Sequence, residues 1–133
     1  EPMTARQKIE WVTNSWYGFA LFTAVLSIFK SGFGFFSLFF TLAGLAFSLG
    51  LTWVLGKLLL GRSSMTRLVL VVVSMLGSVF HALFIAWYGW RFLGSWSLGI
   101  LLQAAFSGLC LMMHVRSFNM LSDKEVKSYI ASK

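Results

Sequence analysis

The chain has 133 residues, a formal net charge of +7, 58% hydrophobic residues and only 11% charged ones. A soluble domain carries about 25% charged residues, so the composition excludes an ordinary water-soluble domain, and the basic excess has no polar domain through which to bind nucleic acid. One cysteine, Cys110, excludes an internal disulfide, and no CxxC or Cys/His spacing suggests structural zinc.

Four uncharged apolar stretches fill the chain, at residues 11–29, 31–56, 68–90 and 92–115. Each reaches the ~20 residues with which an α-helix crosses a ~30 Å hydrocarbon core. The expected fold is therefore all-α. It is a single integral-membrane domain of four transmembrane helices in an up-down antiparallel bundle, with a short C-terminal interfacial helix. The lipid bilayer is the first implied partner.

The first helix is expected to start at Thr4-Ala5-Arg6-Gln7, where Thr and Gln stand three apart as a capping box. Met3 is the expected natural start, with Glu1 and Pro2 an appended remnant. The first apolar run is too long for a cleaved signal and lacks a small-residue cleavage site, so it reads as a retained span. Its small and polar residues Thr13, Ala20, Ala24 and Ser27 recur at helical spacing. In lipid such residues mark the face on which helices associate.

A tight turn at Lys30-Ser31-Gly32 leads to the second span. Ser37, Thr41, Gly44, Ser48 and Thr52 form its stripe, while Phe33, Phe35, Phe36, Phe39, Phe40 and Phe47 crowd the rest and suit lipid or a neighbouring subunit. The loop Gly61-Arg62-Ser63-Ser64 follows. The third span carries Ser74, Gly77, Ser78 and His81, and a loop around residues 90–95 precedes the fourth, with Gly99, Gln103, Ser107, Cys110 and His114. Short loops favour antiparallel neighbours. Arg6 and Lys30 recur as Arg67 and Arg91 after a shift of 61 residues, a weak parallel repeat of two hairpins.

Nine of the eleven basic residues fall in the N-terminal arm, the second loop and the tail at residues 116–133; only Lys30 and Arg91 fall in the other loops. This bias places both termini in the cytoplasm. Trp11, Trp16 and Trp53 then sit near the inner interface and Trp87, Trp90 and Trp96 near the outer one, as indole rings prefer. Compact loops and a clean charge bias point to a bacterial inner membrane. In the tail, Ser122-Asp123-Lys124-Glu125 reads as a second capping box. It opens a brief helix with Val126, Tyr129 and Ile130 on one face, suited to a lipid surface, a partner, or the end of the last span.

No Asp, Glu, Lys or Arg lies deep in a span, which argues against proton-coupled pumps and cation exporters. His81 and Gln103 each lie nine residues from an expected outer loop, ~13 Å deep, and Thr41 and Thr23 are expected at similar depth. These four form the expected polar layer, with a His81–Gln103 hydrogen bond as its structural reading. His114 is expected ~18 Å from His81 along the bundle, too far for both to hold one haem iron. No catalytic motif, metal site or cofactor is expected. The function expected is non-enzymatic, through helix–helix contacts with another membrane protein or by self-association: an accessory, assembly or immunity-type partner. The alternative is a small oligomeric channel or transporter built on the His81/Gln103 layer.

Overall fold

A computed structural model describes residues 3–132, and Glu1, Pro2 and Lys133 lie outside the described residues. Those described form five α-helices and no strand: α1 (Ala5–Ser31), α2 (Phe35–Leu60), α3 (Ser64–Ser95), α4 (Leu98–Leu121) and α5 (Lys124–Ala131). The first four are long and apolar enough to cross a membrane, and at most 11% of the most apolar window of any of them is buried within the protein. Exposed surfaces this apolar mark membrane or protein-contact faces. The six phenylalanines of the second span region are 57–77% exposed.

α1 and α3 run beyond the expected spans at both ends, whereas α2 and α4 begin later than expected, at Phe35 and Leu98, and run on past the expected ends. Thr4 caps α1 as expected, its side chain accepting from the Gln7 amide at 3.2 Å while its own amide donates to Gln7 Oε1 at 2.9 Å. Two turns lie elsewhere than expected. The link between α1 and α2 is Gly32-Phe33-Gly34, with Gly32 at φ 83°, a left-handed value open to glycine at little cost. The link between α3 and α4 is Trp96-Ser97, not residues 90–95. Gly94 stays helical, and Trp96 adopts φ 54° while its amide donates to Phe92 O at 2.7 Å. Glycine spacing misled the expectation because the reversing residue is a tryptophan.

The chain divides into two compact units, one holding the described residues up to Thr66 together with α5 from Glu125, the other Arg67–Lys124. In the first unit α1 and α2 pack together as a helical hairpin. Thr13 on α1 faces Gly56 on α2, where an added Cβ would meet Thr13 Cγ2 at 3.3 Å. Ile9, Val12 and Leu59 are fully buried at this end of the hairpin.

The C-terminal helix closes onto the same end. Val126 and Ile130 of α5 are buried. Tyr129 donates its hydroxyl to Leu60 O at 2.7 Å, using one of the carbonyls that the last turn of α2 leaves free. The Arg62 guanidinium lies 4.6 Å from the Tyr129 ring centre, and Lys8 pairs with Glu125 at 3.7 Å. The apolar face of α5, which the sequence offers to lipid or a partner, is buried within the protein. The second capping box does not form as expected: Ser122 instead ends α4, in helical conformation, and α5 begins at Lys124.

In the second unit Arg67 Nη1 donates to Leu121 O at 3.1 Å, tying the start of α3 to the end of α4. Ser74, Ser107, Cys110 and Ser117 are buried. Leu121 is fully buried.

Candidate functional site

Two arrangements stand out, one in each unit. In the first unit the stripes of α1 and α2 face each other across a cleft of about 510 Å³. Ala20, Thr23, Ala24 and Ser27 line one wall, and Ser37, Thr41, Gly44 and Ser48 the other. Thr23 donates to its own helix at Ala20 O, 2.9 Å away. Among the described residues the hydroxyls of Ser27, Ser37, Thr41 and Ser48 make no hydrogen bond. No charged side chain lines the cleft. Thr23 and Thr41, two of the four expected layer residues, do come together here.

The other two do not. Gln103 is exposed on α4, and His81 Nδ1 is buried without any hydrogen-bond partner, so the expected His81–Gln103 bond is absent. His81 instead lies beside His114, with ring centroids 5.3 Å apart and planes only 20° from parallel. The expected ~18 Å separation of the two histidines is thus overturned, and with it the distance argument against a shared ion. The shifted turn is the cause. His81 stands fourteen residues before Ser95 and His114 sixteen after Leu98, which puts both at one level, whereas Gln103 is five residues from the turn.

His114 is seated by the backbone of α3. A Cβ built on Gly77 would stand 2.6 Å from His114 Cε1 and Nδ1 and 2.7 Å from Nε2. Near-equal distances to three ring atoms mean that the imidazole turns a face, not an edge, to Gly77. Only glycine leaves room for that approach. Phe84, nearly a full turn along α3, meets His81 edge-on at 5.8 Å, and Tyr88 follows at 6.5 Å from Phe84. The pairing signal was present in the sequence. His81 and Gly77 share a face of α3 at i, i+4 spacing, but their partner on α4 depends on where the chain turns.

The arrangement offers hydrogen bonding without charge in the cleft, and two imidazoles without a carboxylate in the second unit. Among the described residues no group of three or more His, Cys, Asp or Glu comes together. No protein family, curated protein or solved structure matches this chain.

Proposed function

We propose that this protein is a four-span component of a bacterial inner membrane that acts without catalysis, as the helix-contacting partner of another membrane protein. The observation that carries the reading is the cleft of α1 and α2. The hydroxyls of Ser27, Ser31, Ser37, Thr41 and Ser48 make no hydrogen bond among the described residues, and the walls otherwise hold Thr23, alanine, glycine, Phe40 and Leu45. At membrane depth no bulk water satisfies such groups. Small residues admit a neighbouring backbone closely, and interhelical hydroxyl bonds contribute about 0.6 kcal/mol each on average. A transmembrane helix carrying its own Ser, Thr or Gly stripe meets both conditions. The exposed phenylalanines beside the cleft extend the contact area or face lipid.

The topology supports the same reading. The basic residues of the N-terminal arm, Lys57, Arg62 and Arg67, and those of the tail favour a cytoplasmic side for both termini and α5, with the spans in up-down order. The test is co-purification from native membranes in mild detergent, comparing the natural chain with Thr41→Leu/Ser48→Leu. The double variant fills the cleft with apolar bulk. The expected result is a defined membrane-protein companion that the variant loses while remaining helical and monodisperse. A natural chain that purifies alone, or a companion retained by the variant, contradicts the reading.

One observation favours a second reading, a small oligomeric channel or transporter: the cleft is polar and has the volume of a small-molecule site. Liposome flux abolished by Thr41→Leu would carry that reading, and absence of flux would remove it.

A further inference from the structure

We propose that Arg62, in the turn after α2, holds the phosphate of an anionic phospholipid at the membrane surface, with Lys57 adding positive charge on the last turn of α2. The proposal goes beyond the partner-helix reading of the cleft and rests only on the membrane crossing of α1 and α2. It starts from missing counter-ions. Among the described residues of this unit, Glu10 is engaged by Arg6 at 3.3 Å and Glu125 by Lys8 at 3.7 Å. The side chains of Arg62 and Lys57 make no ion pair and no hydrogen bond among the described residues. Arg62 Nε is shut off from solvent without an acceptor.

Each cation is held on an aromatic ring instead of an acid. The Arg62 guanidinium lies 4.6 Å from the centre of Tyr129, and Lys57 Nζ lies 5.7 Å from that of Trp53. A ring attracts the charge but accepts none of the in-plane N–H bonds, so the donors stay available to an anion. Tyr129 is itself fixed, because its hydroxyl donates to Leu60 O at 2.7 Å. The backbone adds a further sign. Arg62 takes φ 66°, although the neighbouring Gly61, which would take that value at little cost, keeps an ordinary negative φ. Strain carried by a non-glycine residue is typical of ligand clamps.

Level and chemistry favour a phospholipid over an acidic protein segment. α2 has 26 residues, ~39 Å of helix against a ~30 Å hydrocarbon core. Its last turn and the turn at Arg62 therefore reach the headgroup layer. Trp53, 58% exposed, carries the side chain that prefers that boundary. A guanidinium meets a phosphate through two parallel N–H···O bonds. The net charge of +7 complements an anionic leaflet.

The experiment has two readouts. Native mass spectrometry of the detergent-purified chain compares retention of phosphatidylglycerol and phosphatidylcholine of matched acyl chains. The natural chain should retain the anionic lipid about fivefold better, the factor that one basic residue at an anionic surface contributes. Arg62→Gln should remove the preference, Arg62→Lys, which keeps the charge but not the fork, should restore part of it, and Arg91→Gln should leave it unchanged. The second readout uses the natural chain and so does not depend on a variant folding. Phosphatidylglycerol in mixed micelles should slow phenylglyoxal modification of Arg62 more than that of Arg91. Equal retention of the two lipids, an equal loss in Arg91→Gln, or equal slowing at both arginines means that overall charge accounts for the binding and overturns the proposal. Equal protection of Arg62 by inorganic phosphate, or protection by a polyglutamate peptide but not by lipid, assigns the site to another anion and overturns it as well.

Discussion

At Gly77 the missing side chain is the structural feature. Adding one methyl places a carbon 2.6 Å from the His114 ring, and overpacking of that kind costs about 1–3 kcal/mol. Gly77→Ala should lower the thermal midpoint of the detergent-solubilised protein. His114→Ala in the same chain should restore most of the loss, because it removes the ring that is struck; a double-mutant cycle measures the coupling. If the two changes were simply additive, the close approach would not be the cause. Arg62 is a second residue whose backbone and side chain act together. It takes φ 66° next to Gly61, which keeps an ordinary negative φ, and an L-residue there costs about 1–2 kcal/mol. Its guanidinium over Tyr129 offsets part of that, since cation–π contacts contribute roughly 0.5–2 kcal/mol.

Among the elements, α5 depends most on a few contacts. It has eight residues, too few to hold as an isolated helix. Val126, Ile130, the Tyr129–Leu60 bond and the Arg62–Tyr129 contact keep it seated. Tyr129→Phe should cost about 0.5–1.5 kcal/mol, and Arg62→Ala combined with it should cost more. Limited proteolysis checks both: the tail beyond Asp123 should be cut faster in Tyr129→Phe and faster again in the pair, with the rest of the chain unaffected. An unchanged rate would mean that apolar burial alone seats α5. The hairpin of α1 and α2 has an equivalent pressure point at Gly56, 3.3 Å from Thr13 by an added Cβ. Gly56→Leu should force the two helices apart there, cost about 1–3 kcal/mol, and increase sensitivity to denaturing detergent.

The helices and the packing of α1 on α2 were legible because both rest on local rules. Span length follows from hydropathy, and the stripes of Ala20, Ala24, Ser27, Ser37, Thr41, Gly44 and Ser48 follow from helical spacing. They meet in one cleft, as the spacing implied. The histidine pair was not legible, because it depends on register. Moving the turn from residues 90–95 to Trp96-Ser97 slides α3 against α4 by several residues, replacing Gln103 with His114 opposite His81. No local pattern announces a tryptophan in the left-handed region. The seat of α5 was half visible: its apolar face was plain, but the free carbonyl of Leu60 that receives Tyr129 is a tertiary partner.

On the scale of the whole molecule, the defining property is the mismatch between its surface and water. The most apolar stretches of α1–α4 bury no more than about a tenth of their residues within the protein. Nine of the eleven basic residues lie in the N-terminal arm, at Lys57, Arg62 and Arg67, and in the tail, the bias from which the proposed orientation is argued. The proposed architecture has four crossings with both ends inside. The most direct test is site-directed cysteine labelling in intact cells, on a Cys110→Ser background, with a membrane-impermeant maleimide. Single cysteines replace Thr4, Phe33, Ser63, Ser97 and Ser132. Positions 33 and 97 should label in intact cells, and positions 4, 63 and 132 only after the membrane is opened. Labelling of position 63 from outside, or of 33 and 97 only from inside, would contradict the four-span, both-ends-inside architecture on which the proposed function depends.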